Sequence, residues 1–171
     1  MGLPTAIYAY RDLSTLRPHY NTWTNQNALT GFEQTAGISY NSAGKPRVVT
    51  EYGQAQTIYV WGYDNEYPIA VIKGASQDAV VSKLGGASAW DNLEKALFPT
   101  INAGALYARL SEIQGALVTT YDYKPLAGMT KKIEPNGTTT TYEYDVLGRL
   151  AKIYDHQGTV TQMFQYNYKR Q

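Results

Sequence analysis

The chain has no cysteine and only two histidines among its 171 residues, and these absences limit its possible chemistry. Without cysteine no disulfide framework can form, which weakens the case for an extracellular protein without excluding it. A metal site normally needs three or four converging ligands, and His19 and His156 are distant in sequence. Both histidines are expected to be structural, His156 as an exposed turn residue. The sequence therefore predicts no metal and no other cofactor.

Charge and long hydrophobic runs are also scarce. Charged residues make up 17% of the chain and the net charge is +1, so no basic excess is available to hold nucleic acid. No stretch approaches the roughly 18 consecutive apolar residues of a membrane span. The first ten residues lack a signal-peptide pattern and resemble the start of an excised fragment, so they indicate no localisation. Neither a Gly-x-Ser-x-Gly elbow nor a glycine-rich phosphate loop occurs, which predicts a non-enzymatic protein.

Tyrosine, by contrast, is abundant, with 16 residues against three phenylalanines. Tyrosine combines a large ring with a hydroxyl group and suits strands that have one packed face and one wet face. Two stretches that contain it, 121–137 and 142–158, share one pattern. Tyr121 aligns with Tyr142 and Gly137 with Gly158, an offset of 21 residues in both cases. Self-similarity at a fixed period predicts a repeat architecture in which each unit packs against its neighbours.

Alternating polar and apolar residues between turn signals predict a mainly β fold with a small helical insertion. The predicted form is an antiparallel meander of β-hairpins that builds a curved sheet. Tyr40-Asn41 and Trp61 mark earlier, degenerate copies of the repeat. The expected organisation comprises an irregular N-terminal segment with some strand, the first hairpins, the helical insertion, and the remaining hairpins with a C-terminal strand, over 1–37, 38–74, 75–116 and 117–171.

Two or three short helices are predicted inside the insertion. Ser76 precedes a periodic run that ends at Leu84, before two glycines. Ser88, with Asp91 three residues later, resembles a capping box that starts a helix over 89–98. A third apolar stripe covers 102–114.

The repeat residues have predicted structural roles in the hairpins. Asp145 is expected to cap its turn through backbone N–H groups, and Gly148 to supply a positive φ. Arg149 is expected to pair with a carboxylate on a neighbouring hairpin or to lie over a tyrosine ring. Asn136-Gly137 predicts a type I′ turn. The full set of repeat-defining positions is Tyr121, Tyr123, Gly137, Tyr142, Tyr144, Asp145, Gly148, Arg149, Leu150 and Gly158.

The stretch from Tyr142 to Leu150, with Gly137 upstream, resembles the YD repeat of the Rhs-type family, whose core is Tyr-x-Tyr-Asp-x-x-Gly-Arg-Leu. The resemblance implies strands wound into a long spiral sheet, which in full-length bacterial relatives can form a shell around a C-terminal toxin. It further implies a secreted or cell-surface structural scaffold whose partners are neighbouring repeats of the parent chain. The family's self-cleavage segment contains Asp-Pro motifs, and this sequence has no Asp-Pro, so autoproteolysis does not carry over.

The aromatic residues leave a second interpretation open. Exposed aromatic rings stack on sugars, so the chain could instead be a module that binds carbohydrate or a partner protein. The possible ligand-stacking residues are Trp61, Tyr63, Tyr67 and Trp90. Regular recurrence favours the structural interpretation, in which the rings pack across strands. Unpaired strand edges also predict self-association.

Overall fold

The computed structural model describes residues 2–10 and 32–167, which contain one ten-stranded antiparallel sheet. Strand order follows chain order from β1 to β10, so each strand pairs with its sequence neighbours and the expected hairpin meander is confirmed. His19 and most of the predicted irregular segment lie outside the described residues. The strands are β1 Ala6–Tyr10, β2 Phe32–Tyr40, β3 Pro46–Glu51, β4 Thr57–Gly62, β5 Tyr67–Lys73, β6 Leu117–Lys124, β7 Gly128–Ile133, β8 Thr139–Tyr144, β9 Leu150–Tyr154 and β10 Val160–Met163.

The three helices lie between β5 and β6: α1 spans Gln77–Leu84, α2 Ala87–Lys95 and α3 Ala103–Leu110. The Ser76 hydroxyl accepts a hydrogen bond from the Ala79 N–H at 3.2 Å, as expected of an N-cap. The prediction of a capping box at Ser88 is wrong. Helix α2 begins at Ala87 without a side-chain cap bond, because the glycine pair that ends α1 leads directly into it. No helix of the described residues is long and apolar enough to cross a bilayer.

The buried core lies between the helices and one face of β3–β6. Alternation along β4 puts Ile58 and Val60, both fully buried, on the face towards the helices, while Tyr59 and Trp61 lie on the opposite face. Each helix contributes apolar residues to the same cluster, whose members are Val48, Ile58, Val60, Ile69, Ala70, Ile72, Ala75, Val80, Leu84, Trp90, Leu106, Leu110 and Val118.

A bulge recurs at one position of four hairpins and gives the repeat its shape. Tyr40 pairs with Pro46, Trp61 with Pro68, Tyr123 with Met129 and Tyr144 with Leu150, and the register shifts by one residue directly beside each pair. In every case the return strand carries the extra residue. Bulges bend a strand and increase its twist, and this bulge occupies the same position in all four hairpins.

The type I′ turn predicted at Asn136-Gly137 is wrong. Only Gly137 has a positive φ, of 82°, whereas a type I′ turn needs positive values at both central residues. The Gly137 N–H donates to the Glu134 carbonyl at 2.8 Å, and the Glu134 N–H donates to the Thr138 carbonyl at 2.9 Å. The loop is therefore a five-residue turn whose fourth residue is a left-handed glycine.

Candidate functional site

One turn geometry recurs along the sheet, and an aspartate or asparagine organises it. Asp145 Oδ1 accepts hydrogen bonds from the N–H groups of Leu147 and Arg149, at 2.9 and 3.0 Å. Asp155 binds Gln157 and Thr159 in the same way. A short carboxylate or amide suits this position because it satisfies turn N–H groups that no strand can reach.

The same bonds form in the β2–β3 hairpin, where Asn41 Oδ1 accepts hydrogen bonds from the N–H groups of Ala43 and Lys45 at 3.1 and 2.9 Å. An amide therefore replaces the carboxylate without changing the geometry. Gly148, with a φ of 75°, occupies the fourth turn position, and Gly158 occupies it in the next hairpin. A side chain there would be strained although space is open, since no atom closer than 4.0 Å faces it.

Arg149 lies across its own turn. Its guanidinium contacts Asp145 Oδ2 at 2.6 Å and lies 4.3 Å from the centre of the Tyr166 ring. Asp145 belongs to the same hairpin and not to a neighbouring one, whereas the alternative expectation, that Arg149 lies over a tyrosine ring, is confirmed. Hydrogen bonds from the Arg149 side chain and backbone, and then from Leu147, hold the pKa of Asp145 below its ordinary value.

A second recurring contact joins a hairpin to the one before it at three places. Tyr144 donates its hydroxyl hydrogen to the Met129 carbonyl at 2.8 Å, and Tyr166 donates to the Leu150 carbonyl at 2.8 Å. The Trp61 indole N–H donates to the Pro46 carbonyl at 2.8 Å. Each acceptor residue pairs with the corresponding aromatic residue of the preceding hairpin. We call this contact the aromatic clasp.

Glycine makes room for one clasp. A Cβ atom added to Gly128 would lie 2.5 Å from the Tyr144 hydroxyl oxygen, which no packed structure tolerates. Gly128 was missed as a functional position, because the next copy carries Arg149 at the matching place. The aromatic clasp also explains the choice of tyrosine over phenylalanine, since phenylalanine has no hydroxyl to donate.

Tyr123 takes part in a different contact. Its backbone N–H and carbonyl both bond the Tyr63 hydroxyl, each at 3.0 Å. The Tyr67 ring stacks on the Tyr123 ring with centroids 4.7 Å apart, and the Tyr63 ring meets Tyr123 edge-on at 5.9 Å. Burial raises the pKa of Tyr123. The three rings therefore pack mainly on one another.

The four possible ligand-stacking residues do not form one platform. Tyr63 and Tyr67 belong to the cluster around Tyr123, whereas Trp61 lies beside Tyr59 at 6.4 Å with the Lys45 ammonium 5.6 Å from its ring centre. Trp90 is only 1% exposed. Its proposed role as an exposed ring is incorrect, because helix α2 turns it into the core.

The face opposite the helices carries the remaining repeat tyrosines. Tyr121 pairs with Lys132 across β6 and β7, and Tyr142 pairs with Ile153 across β8 and β9. Both rings are half-buried. Burial is the largest effect on Tyr121 and raises its pKa. These rings cover the sheet by cross-strand packing.

A buried polar network, absent from the sequence predictions, holds α2 against the sheet. Glu94 is 2% exposed and accepts hydrogen bonds from the Arg47 guanidinium at 2.5 and 3.3 Å. Arg47 also contacts Asp91 at 2.6 Å and lies 4.5 Å from the centre of the Trp90 ring. Burial acts to lower the pKa of Arg47, but bonds and attraction from both carboxylates outweigh it and raise the pKa.

The strained turn before β5 completes this network. Tyr63, Asp64 and Asn65 have φ values of 53, 56 and 64°, three left-handed non-glycine residues in succession. In this conformation the N–H groups of Asp64 and Asn65 donate to the carbonyls of Ala96 and Glu94, at 2.9 Å each. The turn thus caps the C-terminal end of α2, whose last carbonyls have no partner within the helix.

Repeated turns and aromatic clasps define the molecule as a β-hairpin repeat protein. The family model of the RHS repeat matches residues 127–160, which cover β7, the complete hairpin β8–β9 and the first residue of β10. Residues 127–160 therefore match an RHS repeat. No curated protein matches the chain.

Proposed function

We propose that this chain is a non-enzymatic structural segment of a large secreted or cell-surface bacterial protein of the Rhs type. The recurring aromatic clasp carries the proposal. At three places an aromatic side chain of one unit satisfies a carbonyl of the unit before it, so a hairpin can be added without new chemistry. The carboxylates of the repeat also have structural partners: Asp145 and Asp155 cap turns, and Glu143 contacts Lys152 and Tyr154.

The aromatic clasp is testable by removing a single hydroxyl. We expect Tyr144→Phe to lower the free energy of unfolding by about 0.5–1.5 kcal/mol, because the Met129 carbonyl loses its partner. Tyr142→Phe is the matched control, since the Tyr142 hydroxyl makes no hydrogen bond to a described residue. Chemical denaturation of both variants measures the difference. Equal stability of the two variants would show that the aromatic clasp does not stabilise the fold.

Secretion or surface display is testable in the bacterium that produces the parent protein. We expect an antibody against this segment to detect it in the medium or on intact cells, and added protease to degrade it there. A cytoplasmic control protein must survive the same treatment. Recovery of the segment only after cell lysis would contradict the proposed location.

Carbohydrate binding remains the alternative function. The half-buried Trp61 is the best remaining position, because Trp90 is buried and Tyr63 and Tyr67 pack on Tyr123. A structural segment should show no saturable binding on a glycan array. Binding that Trp61→Ala abolishes, and Tyr52→Ala at an exposed tyrosine leaves intact, would favour a lectin-like module instead.

A further inference from the structure

We propose that the free edge of β10 pairs with β10 of a second copy, so that the isolated chain forms an antiparallel edge-to-edge dimer. This inference deepens the proposed structural role and rests on it, because it concerns where the hairpin array continues. Strand β10 is the last strand in the sheet order, so none of the described strands pairs with its outer side. Unpaired backbone N–H and C=O groups there provide a template for another strand.

The edge is ordered beyond the end of β10. The Phe164 N–H donates to the Ala151 carbonyl at 2.9 Å, and the Tyr166 hydroxyl donates to the Leu150 carbonyl. Arg149 covers the Tyr166 ring on the same side. The segment through Tyr166 therefore lies alongside β9 as an extended edge, instead of fraying into solvent.

The direction of the backbone groups follows from the hydrogen bond of Phe164. Because successive backbone groups of a strand point to opposite sides, the N–H and C=O groups of Met163 and Gln165 point away from β9. Met163 is 69% exposed and Phe164 is 40% exposed. A second strand would therefore satisfy outward polar groups and cover apolar side chains in a single contact.

This edge lacks two of the features by which proteins normally protect free strands, charged side chains and proline, although β10 is four residues long and bulged at Thr161. Residues 159–168 contain no charged residue and no proline. The opposite edge differs, since Pro4 lies shortly before β1. Two β10 edges can approach without like charges in contact, and the net charge of +1 adds little repulsion. A two-fold axis then closes the pairing at a dimer.

The test replaces one outward N–H without disturbing β9. Gln165→Pro removes the donor that points away from β9, and Gln165→Thr is the matched control that keeps this donor. We expect the wild type and Gln165→Thr to dimerise in sedimentation equilibrium, and Gln165→Pro to raise the dissociation constant about tenfold or more. Hydrogen exchange of the Met163 and Gln165 amides should slow as protein concentration rises.

Three results would overturn the proposal: a wild-type monomer at high concentration, undiminished association of Gln165→Pro, or amides whose exchange is independent of concentration. If Gln165→Pro loses its strand circular dichroism, Met163→Lys replaces it, because an edge lysine blocks pairing without removing a backbone donor. A monomeric wild type would leave the proposed scaffold role intact, provided that Tyr144→Phe still loses stability.

Discussion

The two halves of the sheet are stabilised in different ways. Strands β3–β6 bury a continuous apolar cluster beneath three helices, whereas no residue of β8–β10 is buried. The hairpins of the second group depend on capped turns, aromatic clasps and cross-strand pairs. Apolar burial contributes about 1.5–3 kcal/mol per large side chain, against about 0.5–1.5 kcal/mol for a hydrogen bond. The helix-covered strands therefore carry most of the stability, and the later hairpins are held by their neighbours.

This difference explains the position of the helical insertion. A hairpin array exposes both faces of its sheet. The helices of the insertion cover one face of β3–β6 and form the core with it. Arg47 and Glu94 fix the insertion to the first hairpins, and Ala103 at the start of α3 donates to Asp122 Oδ1 at 2.7 Å. The helices thus contact sheet residues on both sides of the insertion point.

The largest effect is expected where the core is densest. Trp90→Ala should lower the free energy of unfolding by about 3–5 kcal/mol, because it opens a cavity under α2 and removes the ring that Arg47 covers. Ile153→Ala in β9 should cost less, since that side chain is only half-buried. Denaturant unfolding of both variants compares the halves directly, and equal losses would mean that the second half has a core of its own.

A smaller effect tests how the insertion is attached. Glu94→Ala should cost about 2–3 kcal/mol, because it leaves the Arg47 guanidinium partly buried beside Asp91 alone. The matched control is Glu112→Ala, which removes an exposed ion pair with Lys83 and should change little. Thermal unfolding measures both variants. A loss confined to Glu112→Ala would show that the helices are held in another way.

The turns of the second half provide the next test. Gly148→Val should destabilise by about 1–3 kcal/mol, because a β-branched residue resists the left-handed conformation. Leu147→Val, at the preceding exposed turn position, is the control. An unchanged melting temperature for Gly148→Val would show that this turn does not need a glycine in the left-handed conformation.

The smallest effect concerns pH. The pKa of Asp145 is lowered in the folded state, so its contribution is full above the unfolded value of about 3.9 and is lost as pH falls through the folded pKa. Asp145→Asn should keep the turn, as Asn41 does in the β2–β3 hairpin, and remove this loss. The difference in stability between the wild type and the variant should therefore shrink as the pH falls from about 5 to 2, the range in which Asp145 becomes protonated. A constant difference between the two across this range would contradict the assignment.

Local patterns revealed the hairpins and the start of α1, because strand alternation and helix capping depend on residues close in sequence. The repeat at 121–158 also located the turns at Asp145 and Gly158. Neighbouring residues could not show that Trp90 faces inward, since that depends on how α2 packs on the sheet. Likewise, Arg47 and Glu94 meet across 47 positions of the chain, and only the folded sheet brings them together. The type I′ prediction failed because the loop length, not the Asn-Gly pair, fixes the turn.

Native-state hydrogen exchange tests the contrast between the two halves most directly. At a concentration where the chain is monomeric, we expect amides of β4–β6 to exchange only through global unfolding. Amides of β8–β10 should exchange at a lower free energy, with β10 the least protected. Equal protection throughout the sheet, or greater protection in β8–β10, would contradict the claim that the helix-covered strands support the later hairpins.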